Sequence, residues 1–113
     1  MKKLNNAHGS ILTVRALLQQ QSTDTAEQLR RSVARAASVD FLPCREYGAE
    51  VARQQALAED LLFLQHCRSA LERAVDKGSS RLVWRWQDGG SSDVRFRREN
   101  HHLSMTAKHR AAA

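Results

Sequence analysis

The chain has 113 residues, with 18 Lys and Arg against 12 Asp and Glu and a formal net charge of +6 at pH 7. This length suits one domain, and the two cysteines are too few for the disulfide framework of a small secreted domain. No signal peptide follows Met1 and no apolar run approaches the roughly 18 residues of a membrane span, so we expect a cytoplasmic protein.

The positive charge lies towards the two ends of the chain. Residues 1–44 carry a net charge of +3, residues 45–77 of −1 and residues 78–113 of +4, counting Lys and Arg against Asp and Glu. Basic ends around a nearly neutral centre favour an anionic partner, although net charge alone explains solubility equally well.

Two short helices are predicted first, after a loose segment at residues 1–9. Ser10 can cap the first helix, and polar residues from Ser22 to Asp24 are typical of a turn. The second helix is predicted to end at Phe41, because Pro43 disfavours helical geometry just before it. Its buried stripe is predicted to contain Ala26, Leu29, Val33, Ala37 and Phe41.

Residues 45–77 form the strongest pattern, a single long helix without proline. Apolar residues at helical spacing make one wide stripe, and Leu62 points to the other side. Gly78 follows in the position of a left-handed cap. The residues expected to lie in the core or in an oligomer interface are Leu57, Leu61, Leu62, Leu64, Leu71 and Val75.

The length of this helix raises the question of what covers it. It would extend about 50 Å, whereas a compact globule of this chain length has a radius of gyration of about 13 Å. The helix could break, the monomer could be elongated, or a second copy could cover the overhang. We favour the last of these, so a homodimer is expected.

A β-hairpin is predicted over residues 81–98, where apolar and polar residues alternate around a Gly-rich turn. Placing the apolar residues on one face predicts Trp86 opposite Val94 and Trp84 opposite Phe96, around a loop centred on Gly90. The tail, residues 99–113, could add a third strand, form a frayed helix or stay mobile.

The hairpin also carries the main functional hypothesis. The predicted register places Arg85 opposite Arg95, with Arg97 on the same face, and arginine is well suited to phosphate. Such a ribbon could bind nucleic acid, assisted by Arg30, Arg31 and Arg35 on the second helix, or it could be a solvated edge guarded by charge. A pocket between the hairpin and the helices would be lined by Trp84, Trp86 and Phe96.

The sequence contains no phosphate loop, nucleophile elbow or metal-ligand spacing, so we expect neither an enzyme nor a bound metal or cofactor. The expected fold is mostly α within the α+β class: a single domain, 1–113, with two shorter helices packed on one long central helix, followed by a C-terminal antiparallel β-hairpin. Two functions fit: a small non-enzymatic oligomeric binding protein, or a nucleic-acid-binding protein that uses the basic hairpin.

Overall fold

The computed structural model describes residues 4–38 and 44–113. These residues form an α+β fold of two long helices and a four-stranded antiparallel sheet, so the predicted arrangement of three helices and a hairpin is wrong. The elements in chain order are β1 (Ala7–Ser10), α1 (Ile11–Ser38), α2 (Cys44–Lys77), β2 (Ser79–Arg85), β3 (Ser91–Glu99) and β4 (His102–Arg110).

A single helix, α1, replaces the two short helices of the prediction. The Ser10 hydroxyl accepts a bond from the Thr13 backbone N–H at 3.1 Å, which confirms the predicted cap. The predicted turn at Ser22–Asp24 is wrong because its polar side chains bond within the helix: Thr23 to the Gln19 carbonyl at 3.0 Å, and Gln20 to Asp24 at 2.8 Å. The predicted helix end at residues 41–43 lies outside the described residues.

The far half of α1 packs on α2 through small and polar residues. Thr25 and Ser32 are buried, whereas Val33 is 49% exposed. Of the predicted stripe, Ala26 and Ala37 are also exposed, Leu29 is partly buried, and Phe41 lies outside the described residues. Thr25 and Ser32 are seven residues apart, the spacing of one side of an antiparallel helix pair. Small side chains there let the helices approach closely, and this packing outweighs the larger hydrophobicity of Val33.

The long helix is confirmed as α2, unbroken from Cys44 to Lys77. Gly78 ends it at φ +97° and donates its N–H to the Ala74 carbonyl at 2.8 Å, as predicted. No helix in the described ranges is long and apolar enough to cross a membrane. The second half of α2 and the first turns of α1 cover one face of the sheet, whereas α1 after residue 24 and α2 before residue 58 pack mainly against each other.

The strand order in the sheet is β1-β4-β3-β2, with all neighbours antiparallel. Within the segment predicted to be loose, Ala7–Ser10 forms the edge strand β1, which pairs with β4. Of the alternatives left open for the tail, the structure adopts the third strand: β4 pairs along β3 from Glu99–His102 to Ser91–Arg110.

In the β2–β3 pair, each β3 residue lies opposite a β2 residue four positions earlier than the predicted one. Leu82 lies opposite Val94, and Trp84 lies opposite Ser92. The loop lies two residues earlier than predicted: the Trp86 N–H donates to the Gly90 carbonyl at 2.9 Å, and Gly89 adopts φ +92°. The Asp88 carboxylate accepts the Gly90 N–H at 2.7 Å, so the turn centres on Asp88 and not on Gly90.

The core lies between the sheet and the helices. Among the residues predicted for core or interface, Leu57, Leu64 and Leu71 are buried, Leu61 and Val75 are partly buried, and Leu62 is 51% exposed. The radius of gyration is 16.4 Å and the extents are 56 × 32 × 17 Å. The monomer is therefore elongated, and the length of α2 no longer requires a second copy to cover it.

Candidate nucleic-acid interface

The face of the sheet turned away from the helices is polar, exposed and basic, and we call it the outer face. Alternation along each strand sends the apolar side chains to the helices and the polar ones outwards. Two carboxylates lie on the outer face, Asp93 and Glu99. The six cationic residues on it are Arg81, Arg85, Arg95, Arg97, Lys108 and Arg110.

Arg85, Arg95 and Arg97, predicted from the sequence, all lie on the outer face, but their neighbours differ from the prediction. Arg85 pairs with Ser91, and Arg95 pairs with Arg81. The predicted pairing of Arg85 with Arg95 is therefore wrong, because a loop centred on Asp88 instead of Gly90 shifts every partner on β2. A like-charged arginine pair is still present, at the next outward position on β3 after Asp93.

The carboxylate of Asp93 offsets the repulsion between Arg81 and Arg95. It accepts two bonds from Arg81, at 3.0 and 2.8 Å, and lies 3.6 Å from Arg95. The hydrogen bonds from Arg81 hold the pKa of Asp93 below its usual value, and the same bonds raise the pKa of Arg81. Asp93 therefore remains ionised at neutral pH, takes two N–H donors of Arg81 and offsets part of the charge that both arginines would otherwise offer to a ligand.

Three other cations on the outer face have no such partner, and we call them the basic end: Arg85, Lys108 and Arg110. Arg85 and Arg110 flank Ser91 on either side, so their backbones are about 10 Å apart at the normal strand spacing. Lys108 lies one outward position from Arg110 on β4. Within residues 4–38 and 44–113, none of the three forms an ion pair.

Towards the opposite end, the outer face is less strongly charged. A shallow depression of about 620 Å³ lies among Arg81, Arg95, Arg97 and neighbouring hydroxyl side chains. Arg97 lies 3.3 Å from Glu99, and both side chains are mostly exposed, so solvent screens this pair. His8 and His102 stack loosely nearby, with ring centroids 5.7 Å apart.

Arg30, Arg31 and Arg35 do not join this surface. Arg30 and Arg31 both bond to Glu27 on α1, and Arg35 bonds to Glu50 on α2 at 3.1 Å. The hydrogen bond from Arg30 helps lower the pKa of Glu27 to about 2. These arginines lie on the helical pair, which packs against the opposite face of the sheet.

The aromatic residues proposed to line a pocket pack together with α2. The ring centroid of Phe63 lies 4.9 Å from that of Trp86 and 5.8 Å from that of Trp84, so Phe63 fills the space between sheet and helix. Trp86 and Phe96 are buried. Neither tryptophan faces outwards, so neither can stack on the bases of a nucleic acid bound to the outer face.

Sequence reasoning missed Arg81, Lys108 and Arg110 as parts of this surface. A signal for two of them was present, because Lys108 and Arg110 continue the alternation that Leu103 and Met105 begin. Treating that alternation as a firm strand would have placed both cations beside β3. In comparisons with known proteins, no family model, curated protein or solved structure matches this chain.

Proposed function

We propose that the protein binds nucleic acid through the outer face of its sheet, by contacts to the phosphate backbone and without catalysis. The single observation that supports this most strongly is the basic end, in which Arg85, Lys108 and Arg110 lie on one exposed face with no carboxylate bound to them in the described part of the chain. Arginine and lysine donors converging on one surface suit phosphate oxygens.

The proposed binding depends on the phosphate backbone of the nucleic acid and not on its base sequence. No aromatic ring of Trp, Phe or Tyr is exposed on the outer face of the described strands, so stacking contributes little. Cations on a shallow sheet surface contact phosphates, which carry no sequence information. We therefore expect similar affinity for different sequences of the same length and strandedness.

Cys67 is unsuited to act as a catalytic nucleophile. Cys67 is fully buried, and burial raises the pKa of its thiol to about 12, so it stays protonated at neutral pH and is a poor nucleophile. The proposal also retains a homodimer, as expected of an oligomeric binding protein.

A titration of fluorescently labelled duplex DNA and single-stranded RNA with the protein tests the proposal. We expect binding at low salt that weakens as salt is added, with a logarithmic slope on duplex DNA of about −3 if three cations contact phosphates and about −5 if all six do. Different base sequences should give the same curve. Absence of binding at low salt, or affinity independent of salt, would contradict the proposal.

Neutralising the central carboxylate of the outer face should increase the affinity. Asp93→Asn removes the charge that holds Arg81 and Arg95, so both guanidinium groups become available to phosphate. We expect tighter binding and a steeper salt slope, by about one to two units. The measurement is the same titration, with circular dichroism to show that the fold is kept.

Glu27→Gln is the matched control, because it removes the same charge and also frees two arginines, Arg30 and Arg31, but on the helical pair. Its affinity should equal that of the unmodified protein. If Glu27→Gln strengthened binding and Asp93→Asn did not, the nucleic acid would be bound by the helices, and the assignment to the sheet would be wrong.

A further inference from the structure

The strand β2 lies at the edge of the sheet with one side unpaired. Within the described residues it pairs with β3 alone, along all seven positions from Ser79 to Arg85. It contains no proline, and its pairing with β3 is regular, so two common protections of an edge strand are missing. An edge of this kind is suited to pairing with another strand.

The hydrogen-bond pattern determines which backbone groups point to the free side. The Trp86 N–H bonds to Gly90 and the Arg98 N–H bonds to Gly78, so residues with even numbers on β2 bond to β3. In an antiparallel ladder the bonding direction alternates with each residue. The N–H and C=O groups of Ser79, Arg81, Val83 and Arg85 therefore point outwards and are available.

From this edge we infer that two copies of the chain form a homodimer by pairing β2 with β2 in antiparallel fashion about a twofold axis at Leu82. The occupant is a second copy because the sequence of β2 complements itself. In this register Arg81 faces Val83 of the second copy and Arg85 faces Ser79, so no arginine faces an arginine, and all seven residues are paired.

In the neighbouring registers an arginine of one copy does face an arginine of the other. A twofold axis at Arg81 would place the two copies of Arg81 face to face, and an axis at Val83 would place Arg81 opposite Arg85. Both put like charges directly across the strands, which is destabilising. A shift by one residue would place each outward-pointing residue of one copy opposite a residue whose backbone groups already bond to β3, so the ladder could not form. The register centred on Leu82 is therefore favoured.

Two features beside the edge agree with a second copy at this position. Leu62 is 51% exposed on α2. It lies between Glu59, which accepts the Gln87 N–H, and His66, whose ring centroid is 5.1 Å from that of Trp84. The α2 helix of the second copy would run beside this side of α2 and cover Leu62. The Trp84 indole N–H is buried without an acceptor in the described residues, and Ser80 of the second copy would face that side chain.

The dimer would join the two outer faces into one continuous basic surface of eight strands. The inference does not depend on nucleic-acid binding, since the pairing rests on the edge strand itself, and its test reads the oligomeric state. A monomer that binds DNA would contradict the dimer alone, and a dimer that does not bind DNA would contradict nucleic-acid binding alone.

Sedimentation velocity of the unmodified protein and of Val83→Arg tests the inference. Within one chain, the new arginine lies opposite Asp93, which favours the fold. Across the twofold axis it lies opposite Arg81 twice, which opposes the dimer. We therefore expect a dimer for the unmodified protein and a folded monomer for Val83→Arg at the same concentration. As a control, Leu12→Arg places the same charge on a 72% exposed residue of α1 and should remain dimeric.

A charge exchange completes the test. Tagged Arg81→Glu should capture the monomeric Val83→Arg chain, because the introduced carboxylate of one copy then faces the introduced guanidinium of the other. It should not capture Leu12→Arg more strongly than it captures the unmodified protein. A monomeric unmodified protein at high concentration, a dimeric Val83→Arg, dissociation of Leu12→Arg, or failure of the capture would each overturn the assignment of the β2 edge.

Discussion

Replacing Phe63 with alanine is expected to lower the free energy of unfolding by about 3 to 5 kcal/mol. Phe63 is 2% exposed and fills the space between α2 and the sheet, with its ring against Trp84 and Trp86. The truncated side chain loses this packing and leaves a cavity that two large indoles cannot easily collapse into. Because a domain is commonly stable by about 5 to 15 kcal/mol, much of the total would be lost.

Urea denaturation followed by tryptophan fluorescence measures this effect, since both tryptophans report on the same cluster. Leu12→Ala is the control, because Leu12 is 72% exposed and its truncation should change the free energy of unfolding by no more than about 0.5 kcal/mol. If Phe63→Ala cost no more than Leu12→Ala, the packing of α2 on the sheet would differ from that described.

The second large effect is expected at a buried polar chain centred on Ser92. The Trp86 indole N–H donates to the Ser92 hydroxyl at 2.8 Å, and that hydroxyl lies 2.5 Å from Nδ1 of His109. Nε2 of His109 lies 2.9 Å from the Leu4 carbonyl oxygen. Since this oxygen can only accept, Nε2 of His109 carries a proton, and in the neutral imidazole Nδ1 accepts from the Ser92 hydroxyl.

Ser92→Ala should therefore cost about 2 to 4 kcal/mol, because it leaves both the Trp86 N–H and the His109 Nδ1 without their partner in a buried site. Denaturant unfolding gives the value. Ser91→Ala provides the comparison one residue away, on the outer face, with an expected change within about 0.5 kcal/mol. Equal effects of the two substitutions would mean that the polar chain contributes nothing to stability.

The sequence predicted those elements whose signals are local and strong. In α2 a proline-free segment with a wide apolar stripe is followed by Gly78, and the predicted range of 45–77 differs from the observed one by a single residue. The Ser10 cap and the alternation in β2 and β3 are equally local. Each of these elements is determined by residues a few positions apart, so the sequence pattern is sufficient to predict it.

The errors arose where distant residues decide the structure. Nothing near Ser22 shows that Thr25 and Ser32 will be buried against α2. This contact supports a continuous α1 together with the side-chain bonds of Gln20 and Thr23 within the helix. Ala7–Ser10 has too few apolar residues to predict a strand, and it becomes one because β4 offers an edge to it. These elements depend on tertiary contacts between segments far apart in the sequence.

The candidate site was predicted in part for the same reason. Arg85, Arg95 and Arg97 share a face because strand periodicity alone determines it, whereas their partners depend on the conformation of the loop. The sequence reasoning placed apolar residues opposite each other and did not consider Ser92 as an inward residue, although the Trp86 N–H requires an acceptor. The loop centred on Asp88 sets the observed register, in which Ser92 bonds to Trp86. The same register brings Arg81 opposite Arg95 and within reach of Asp93.

The most direct test of binding through the outer face compares two double variants in the nucleic-acid titration. Arg85→Gln with Arg110→Gln removes two cations of the basic end, and Arg53→Gln with Arg68→Gln removes the same charge from exposed positions of α2. We expect the first pair to weaken binding and to make the salt slope shallower by about two units, while the second pair leaves the slope unchanged. Equal slopes for the two variants would contradict binding through the outer face.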